Sequence, residues 1–430
     1  MYRLDWFERR KHGEIGPSSA GQIANVSPVV WKLGMTSFFT DISSEMVYPL
    51  PPLFLTSVLP VYLVLHLHLS PLQYGAIDGV YNGLAVVLVS LTAGWVADRS
   101  KRHKEVALTG YGLSAICKLF LLAAGGVWSW LIVVVGLDRI GKGIRSAPRD
   151  ALISLNTPPH LMASAFAIHR ALDAGGALLG PIIAFVLLAQ LPGAFDVLWM
   201  TSFLFAILGV AALWLYVPKP DPGLLPLDRK ISQRSLPTLF ASRRFVALAG
   251  CGLLFSVATV RDGFIYLVLQ EKGGTNAGFL PLFYVATAAS YMVFSIPAGL
   301  CADRIGRTPV FLGGFAVLGL IYSLLLFMPA IGFLTLASCL LLLGLYYAGT
   351  EGVLMAMASA AIPAEMRATG IAILATAIAL GKLGSSLLFG WIWSAFGVWY
   401  AIVTFGVILM AVLFVAGISL RVIDRKYSHV

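Results

Sequence analysis

Apolar runs of about 20 residues recur along this chain from end to end, and no other feature limits its possible folds so severely. One such run, coiled as a helix, crosses a hydrocarbon layer of about 30 Å. A backbone in lipid must satisfy its own hydrogen bonds, so these runs are expected to be helices. Only 12% of the residues are charged, against 59% hydrophobic. The expected class is an all-α membrane protein that crosses the bilayer many times.

The net charge of +10 is compatible with a nucleic-acid partner, but its distribution argues against one. The bases gather in alternate connections: Arg3, Arg9, Arg10 and Lys11; Arg99, Lys101, Arg102 and Lys104; Lys219, Arg229, Lys230, Arg234, Arg243 and Arg244; Arg304 and Arg307; Arg421, Arg425 and Lys426. The intervening connections are nearly free of Lys and Arg, with Lys272 the exception. This is the positive-inside pattern. It places both termini in the cytoplasm. Topology accounts for the charge, so no nucleic-acid partner is expected. Cys117, Cys251, Cys301 and Cys339 lie far apart without CxxC spacing and read as packing residues, not as a disulfide or metal framework. No cleavable signal peptide is read at the N-terminus, and the first helix is expected to act as a retained insertion signal.

Helix 1 is expected from Trp31 to about 57, carrying Asp41 and Glu45 and reaching the proline-rich YPLPP. Residues 58–70, with His66 and His68, either extend it or lie along the outer interface. Helices 2 to 6 are expected near 71–97, 105–125, 128–147, 162–190 and 197–217. Pro148 is expected to end or kink helix 4. In 218–242 prolines and charges replace apolar residues, as in a cytoplasmic linker. Six more helices follow near 244–270, 277–301, 308–328, 331–360, 367–394 and 397–420. The domains are therefore a cytoplasmic tail at 1–28, a six-helix bundle at 29–217, the linker, a second bundle at 243–420 and a tail at 421–430.

The two bundles repeat one another. GWVADRSKR at Gly94–Arg102 matches GLCADRIGR at Gly299–Arg307 with an offset of 205. PPHLMAS at Pro158–Ser164 matches IPAEMRA at Ile362–Ala368 with an offset of 204. Two anchors at nearly one spacing argue for duplication of a six-helix unit. The repeated loop G-x-x-A-D-R-x-x-R resembles the signature of major facilitator transporters. Arg139-x-x-Lys142-Gly143-x-x-x-Ala147 resembles the helix 4 signature of the same superfamily, with Lys142 in place of its Gln and Arg145 in place of its second small residue. The fuller text DRIGKGIRSAPRDAL, with Ser43–Leu50, His169–Asp173 and Tyr346–Gly352, resembles one widespread bacterial group of these proteins. The resemblance implies twelve transmembrane helices in two pseudo-repeat bundles around a midplane site. It also implies a secondary transporter in a bacterial inner (plasma) membrane, with Arg139 reaching the cavity and taking part in proton coupling.

Six charges crowd into Asp138–Asp150 of this apolar chain, and a membrane tolerates them only at the water interface or facing a polar cavity. Asp138, Arg139 and Lys142 are expected inside helix 4, paired with acids of helices 1 and 5. Arg145, Arg149 and Asp150 are expected at the cytoplasmic mouth, in a gate with Gly94, Asp98, Arg99, Gly299, Asp303, Arg304 and Arg307. The loop Asp can cap a following helix or pair with an Arg. His169, Arg170 and Asp173 share one face of helix 5, and Asp41 and Glu45 one face of helix 1. The two acids are either a proton or cation site or structural partners of nearby Arg residues. Arg261, Asp262, Glu351 and Lys382 are the deep charges of the second bundle, with Glu351 and Lys382 either paired or lining the cavity. Tyr48, Tyr81, Tyr346 and Tyr347 are candidates for the route or for packing. Gly176, Gly180 and Pro181 resemble the start of the helix 5 antiporter signature, without its final glycines; the spacing alone is common helix packing.

No HExxH, GxSxG or phosphate-loop pattern is present, and His66-x-His68 lacks a third ligand nearby. No enzyme activity, cofactor or metal is expected. The expected partners are a small solute or ion, protons and the bilayer, with a monomer as the unit. The expected function is proton-coupled transport by alternating access, efflux before uptake. Uptake or facilitated diffusion of an organic or metal ion is the alternative, and a membrane sensor on a transporter fold a further one.

Overall fold

The structure, a computed structural model, describes residues 19–47, 70–73, 85–122, 128–191, 194–218, 235–275, 279–328 and 331–427. Among them every regular element is a helix. The first half contains α1 (Pro28–Val47), α2 (Ala85–Ser100), α3 (His103–Leu122), α4 (Trp128–Leu155), α5 (Met162–Gln190) and α6 (Phe195–Tyr216). The second contains α7 (Arg243–Gly273), α8 (Leu280–Ile305), α9 (Arg307–Phe327), α10 (Phe333–Ala361), α11 (Arg367–Phe396) and α12 (Val398–Tyr427). Short helices at Ser19–Ala24 and Ser235–Ala241 precede the halves. Nine helices among the described residues are long and apolar enough to cross a membrane. Large apolar side chains such as Phe185, Phe327 and Phe414 are exposed on the outside, as a lipid-facing surface requires.

The expected remainder of helices 1 and 2, with Tyr48, His66, His68, Asp78 and Tyr81, lies outside the described residues, as do 219–234 of the linker. Three sequence expectations are corrected. Helix 4 does not end near 147. It runs to Leu155 with Pro148 inside, giving up only the bond to the Ile144 carbonyl while Arg149 and Asp150 hold the last turns by ion pairs. Helix 12 continues past 420 to Tyr427. Helix 7 is not continuous. Its segments Arg243–Ala258 and Asp262–Gly273 are separated by extended backbone at Thr259 and Arg261.

The duplication is visible in the elements. Pro158 and Pro363 each open a single 3-10 turn, and α5 and α11 follow at Met162 and Arg367. Pro158 therefore corresponds to Pro363, one residue on from the pairing read in the sequence, and both anchors share the offset of 205. The halves meet chiefly through α5 against α8 and α2 against α11, which the repeat exchanges for one another. Lys272, the one base out of pattern, donates to the Leu325 and Met328 carbonyls at 2.5 and 3.1 Å, closing the C-terminal end of α9. The four cysteines are free thiols, three buried and Cys301 exposed.

Candidate functional site

Glycine brings the first charged helices together. A Cβ at Gly180 on α5 would stand 2.8 Å from the Ile42 carbonyl oxygen and 2.9 Å from the Glu45 Cβ. At Gly176 it would stand 3.1 Å from the Asp41 Cβ. Only hydrogen at these positions lets α1 lie so close, and the contact sets Asp41 and Glu45 against α5. Pro181 follows inside the same helix.

The polar side chains then join into one buried network. Arg149 is 3.0 Å from Asp150 and 3.7 Å from Asp173. Arg170 lies 3.4 Å from Asp150 and 3.2 Å from Asp173. Two guanidiniums thus share two carboxylates between α4 and α5, the arrangement that a charge out of water needs. Arg149 also donates to the Ser37 hydroxyl on α1 at 3.1 Å. Tyr111 and His169 each approach that hydroxyl to 3.1 Å. Arg145 lies 3.8 Å from Asp41, donates to Ser114 at 3.0 Å and stacks over the Tyr111 ring.

Arg145, Arg149 and Asp150, expected at the cytoplasmic mouth, are buried to 3%, 7% and 4% exposure and pair with α1 and α5, so they join this network. Their burial follows from the unbroken α4, which carries them along the face that meets those helices. Arg139 is buried as well, and its charge and that of the exposed Lys142 act on Glu45. Asp138 pairs 3.4 Å away with Lys118 of α3. Lys118, Ser37 and Tyr111 were missed as site residues. A lysine in the apolar run SAICKLFLL was a usable signal, because an ionisable group at membrane depth needs a partner.

The second half builds its polar centre at the interruption of α7. Tyr322 of α9 accepts the Val260 N–H at 2.7 Å and donates to the Ala258 carbonyl at 3.2 Å. Ser385 of α11 donates to the Thr259 carbonyl. Side chains thus take up backbone groups that the interrupted helix leaves unpaired. Arg261 and Asp262 stand at the restart, and Tyr347 donates to Asp262. Glu351 accepts from Tyr291 of α8 at 3.1 Å. A cavity of about 350 Å³ opens beside this centre, with Arg261, Glu351 and Lys382 in its wall and Arg170 entering from the first half. Tyr346 lines it too, while Asp262 is held outside its wall.

At the basic end the halves clasp reciprocally. Asp98, ending α2, accepts the N–H groups of Ala368 and Thr369 at 3.1 and 2.6 Å and the Thr369 hydroxyl at 2.6 Å. Asp303, ending α8, accepts those of Ala163 and Ser164 at 3.1 and 2.7 Å and the Ser164 hydroxyl at 2.7 Å. Each loop carboxylate therefore caps a helix of the opposite half, while also holding the side chain that opens the helix after it, His103 at 2.9 Å or Arg307 at 3.2 Å. Gly94 and Gly299 permit the approach: a Cβ on either would lie 2.8 Å from the carbonyl oxygen of Ala368 or Ala163. Arg307 bonds Asp303 at 3.2 Å and reaches the Pro159 carbonyl across the same boundary. Arg99 stacks over Trp95 of its own helix, and Arg304 bonds Gln22 at 2.9 Å. Among the described residues no group of His, Cys, Asp and Glu is arranged to hold a metal ion.

Comparison with known proteins agrees with this architecture. The Major Facilitator Superfamily profile matches residues 33–289 and 263–430. An uncharacterised MFS-type transporter of Methanocaldococcus jannaschii is 29% identical over 380 residues, covering 86% of this chain and 89% of its own. The multidrug resistance protein MdtG of Enterobacter lignolyticus is 24% identical, covering 70% and 71% of the two chains. Among solved structures, the human organic anion transporter MFSD10 superposes with a TM-score of 0.72 at 13% identity, over 90% of this chain and 98% of that one.

Proposed function

Because this chain belongs to the Major Facilitator Superfamily, whose members carry small solutes across membranes, we propose that it is a proton-coupled secondary transporter working by alternating access. The observation that carries the reading is the buried network of α1, α4 and α5, whose Arg170 also lines the cavity. Carboxylates held between arginines at that depth can exchange a proton while their partners change with conformation. In this reading Asp41, Glu45 and Asp173 are the proton-bearing groups. Arg139, Lys142, Arg145, Arg149, Asp150, His169 and Arg170 set their electrostatics. Arg261, Asp262, Glu351 and Lys382 serve the solute. With both termini in the cytoplasm, the clasp of Asp98 and Asp303 is the inner gate, and the monomer is the working unit.

Export is the favoured direction. The glycine spacing of α5 and the 24% identity to a multidrug resistance protein support it. Proteoliposomes with an imposed pH gradient test the proposal. Solute flux driven by the gradient is expected, and it should collapse in Asp173→Asn and Glu45→Gln. Full flux in both variants removes the coupling assignment. Absence of both solute flux and gradient-dependent proton movement removes the transporter reading.

A further inference from the structure

The two halves of the clasp are chemically unlike. Beside Asp303 stands Arg307, 3.2 Å away, which also reaches the Ala356 carbonyl at 3.3 Å and the Pro159 carbonyl across the boundary. A guanidinium keeps its charge at every physiological pH. The repeat puts Arg102 at the matching position of the first half, but Arg102 is exposed. His103, the next residue, takes that place, with its Nε2 2.9 Å from the Asp98 Oδ1. An ionised carboxylate only accepts, so the neutral ring carries its proton on Nε2. The His103 side chain is 1% exposed, and its buried Nδ1 has no hydrogen-bond partner among the described residues.

We propose that His103 is an acid sensor of the clasp: a proton taken up at its Nδ1 destabilises the closed arrangement and shifts the protein towards the state open at the basic end. Two features set the sign. The new Nδ1–H lacks an acceptor while the clasp is closed and meets water once it parts. The new charge also competes for one carboxylate. In the closed state Asp98 already serves the first N–H groups of α11 and lies within reach of the Arg367 charge. Opening withdraws α11 and Arg367 but leaves Asp98 to His103, because both belong to the first half. The remaining charges keep that order. Arg99 stacks over Trp95, Lys101 and Arg102 are exposed, and Lys104 donates to the Trp214 and Val217 carbonyls. Glu105, on α3 itself, accompanies His103 in both states. Glu365, in the turn before α11, is set against Arg367. Of the helices packed on α3, α4 brings Arg145, Arg149 and Asp150, paired within the buried network, and α6 ends in the exposed Tyr216.

The inference rests on the reading of the clasp as a gate and adds a regulator to it. Full-length protein carrying Cys301→Ser, which removes the exposed native thiol, is spin-labelled in detergent at His160→Cys and Ile305→Cys. Distances are recorded from about pH 8 to about pH 5, the range over which an imidazole takes up a proton. The ratio of the longer to the shorter component should rise about tenfold on acidification. His103→Gln keeps a donor for Asp98 and takes no charge, so its ratio should change less than about twofold over the same range. A flat series in the His103 protein overturns the proposal. So does a shift to the shorter distance in acid, or an equal rise in His103→Gln. His103→Asn replaces His103→Gln if that variant does not fold. Asp98→Asn separates the two readings. If it lengthens the distance while acid does not, the sensor falls and the gate stands; if neither does, both fall.

Discussion

Asp303 accepts both the amide and the hydroxyl of Ser164 at 2.7 Å, across the boundary between the halves. The repeat places Asp98 on Thr369 in the same way at 2.6 Å. Each carboxylate sits on the first turn of a helix from the other bundle, where exposed N–H groups and the helix dipole favour negative charge. The two contacts are made only while the basic ends are together. In the proposed alternating-access cycle they are the contacts that have to part for this end to open.

Asp303→Asn keeps the size and removes the charge. The clasp should weaken by about 1–3 kcal/mol, combining the dipole term with bonds to a charged acceptor. Spin labels at His160 and Ile305, both exposed at this end, report the change. The expected outcome is a longer distance component in Asp303→Asn and a larger one with Asp98→Asn added. Ser164→Ala, which keeps the amide bonds, should give a smaller change. Identical distance distributions in all variants show that the clasp does not hold this end closed.

Lys101 has φ of 56°, and its repeat partner Gly306 has φ of 107°. The turn after each loop carboxylate thus needs positive φ, and the first copy meets that need with a residue whose Cβ opposes it. Lys101→Gly should stabilise the protein by about 1 kcal/mol, raising the unfolding temperature in detergent. Gly306→Lys should lower it. A fall with Lys101→Gly means that the lysine side chain contributes more than its backbone costs.

Apolar run length, the positive-inside pattern and the duplicated loop made the helical architecture legible, because the bilayer forces each of them locally. Partners across helices were less legible. Periodicity placed His169, Arg170 and Asp173 on one face of α5, but it did not reveal that Arg149 and Asp150 would meet them. Pro148 was the misleading residue: a propensity argument has α4 end or kink there, while the helix runs on to Leu155 with the proline inside it. The interruption of α7 left no trace in hydropathy, since VATVR has no glycine or proline and its backbone is paired by Tyr322 and Ser385 from distant helices.

Gly180→Leu places a branched side chain where a Cβ alone already lies 2.9 Å from that of Glu45. α1 has to move outward, because its carbonyl at Ile42 cannot yield as a side chain can. A loss of about 1–3 kcal/mol is expected from overpacking, with loss of gradient-driven flux as Asp41 and Glu45 leave their partners. Gly313→Ala on α9, with nothing within 4 Å of its Cβ, serves as the comparison and should be neutral or slightly stabilising. Equal stability and flux in the two variants remove the claim that this glycine sets the α1 carboxylates.

Tyr322→Phe tests the paired interruption itself. The hydroxyl is the partner of both Val260 N–H and Ala258 C=O, and Thr259 and Val260 are only 5% and 4% exposed, so water is a poor substitute. Leaving such groups unpaired costs about 1–3 kcal/mol each. The variant should unfold at lower temperature, and the extended segment should exchange its amide hydrogens faster. Ser323→Ala, one residue along, removes only a bond to its own helix at Gly319 and should change neither. Tyr322→Phe should leave the basic-end distances unchanged. Wild-type stability and exchange in Tyr322→Phe would mean that the interruption persists without this bridge, and that the cavity is held in shape by packing alone.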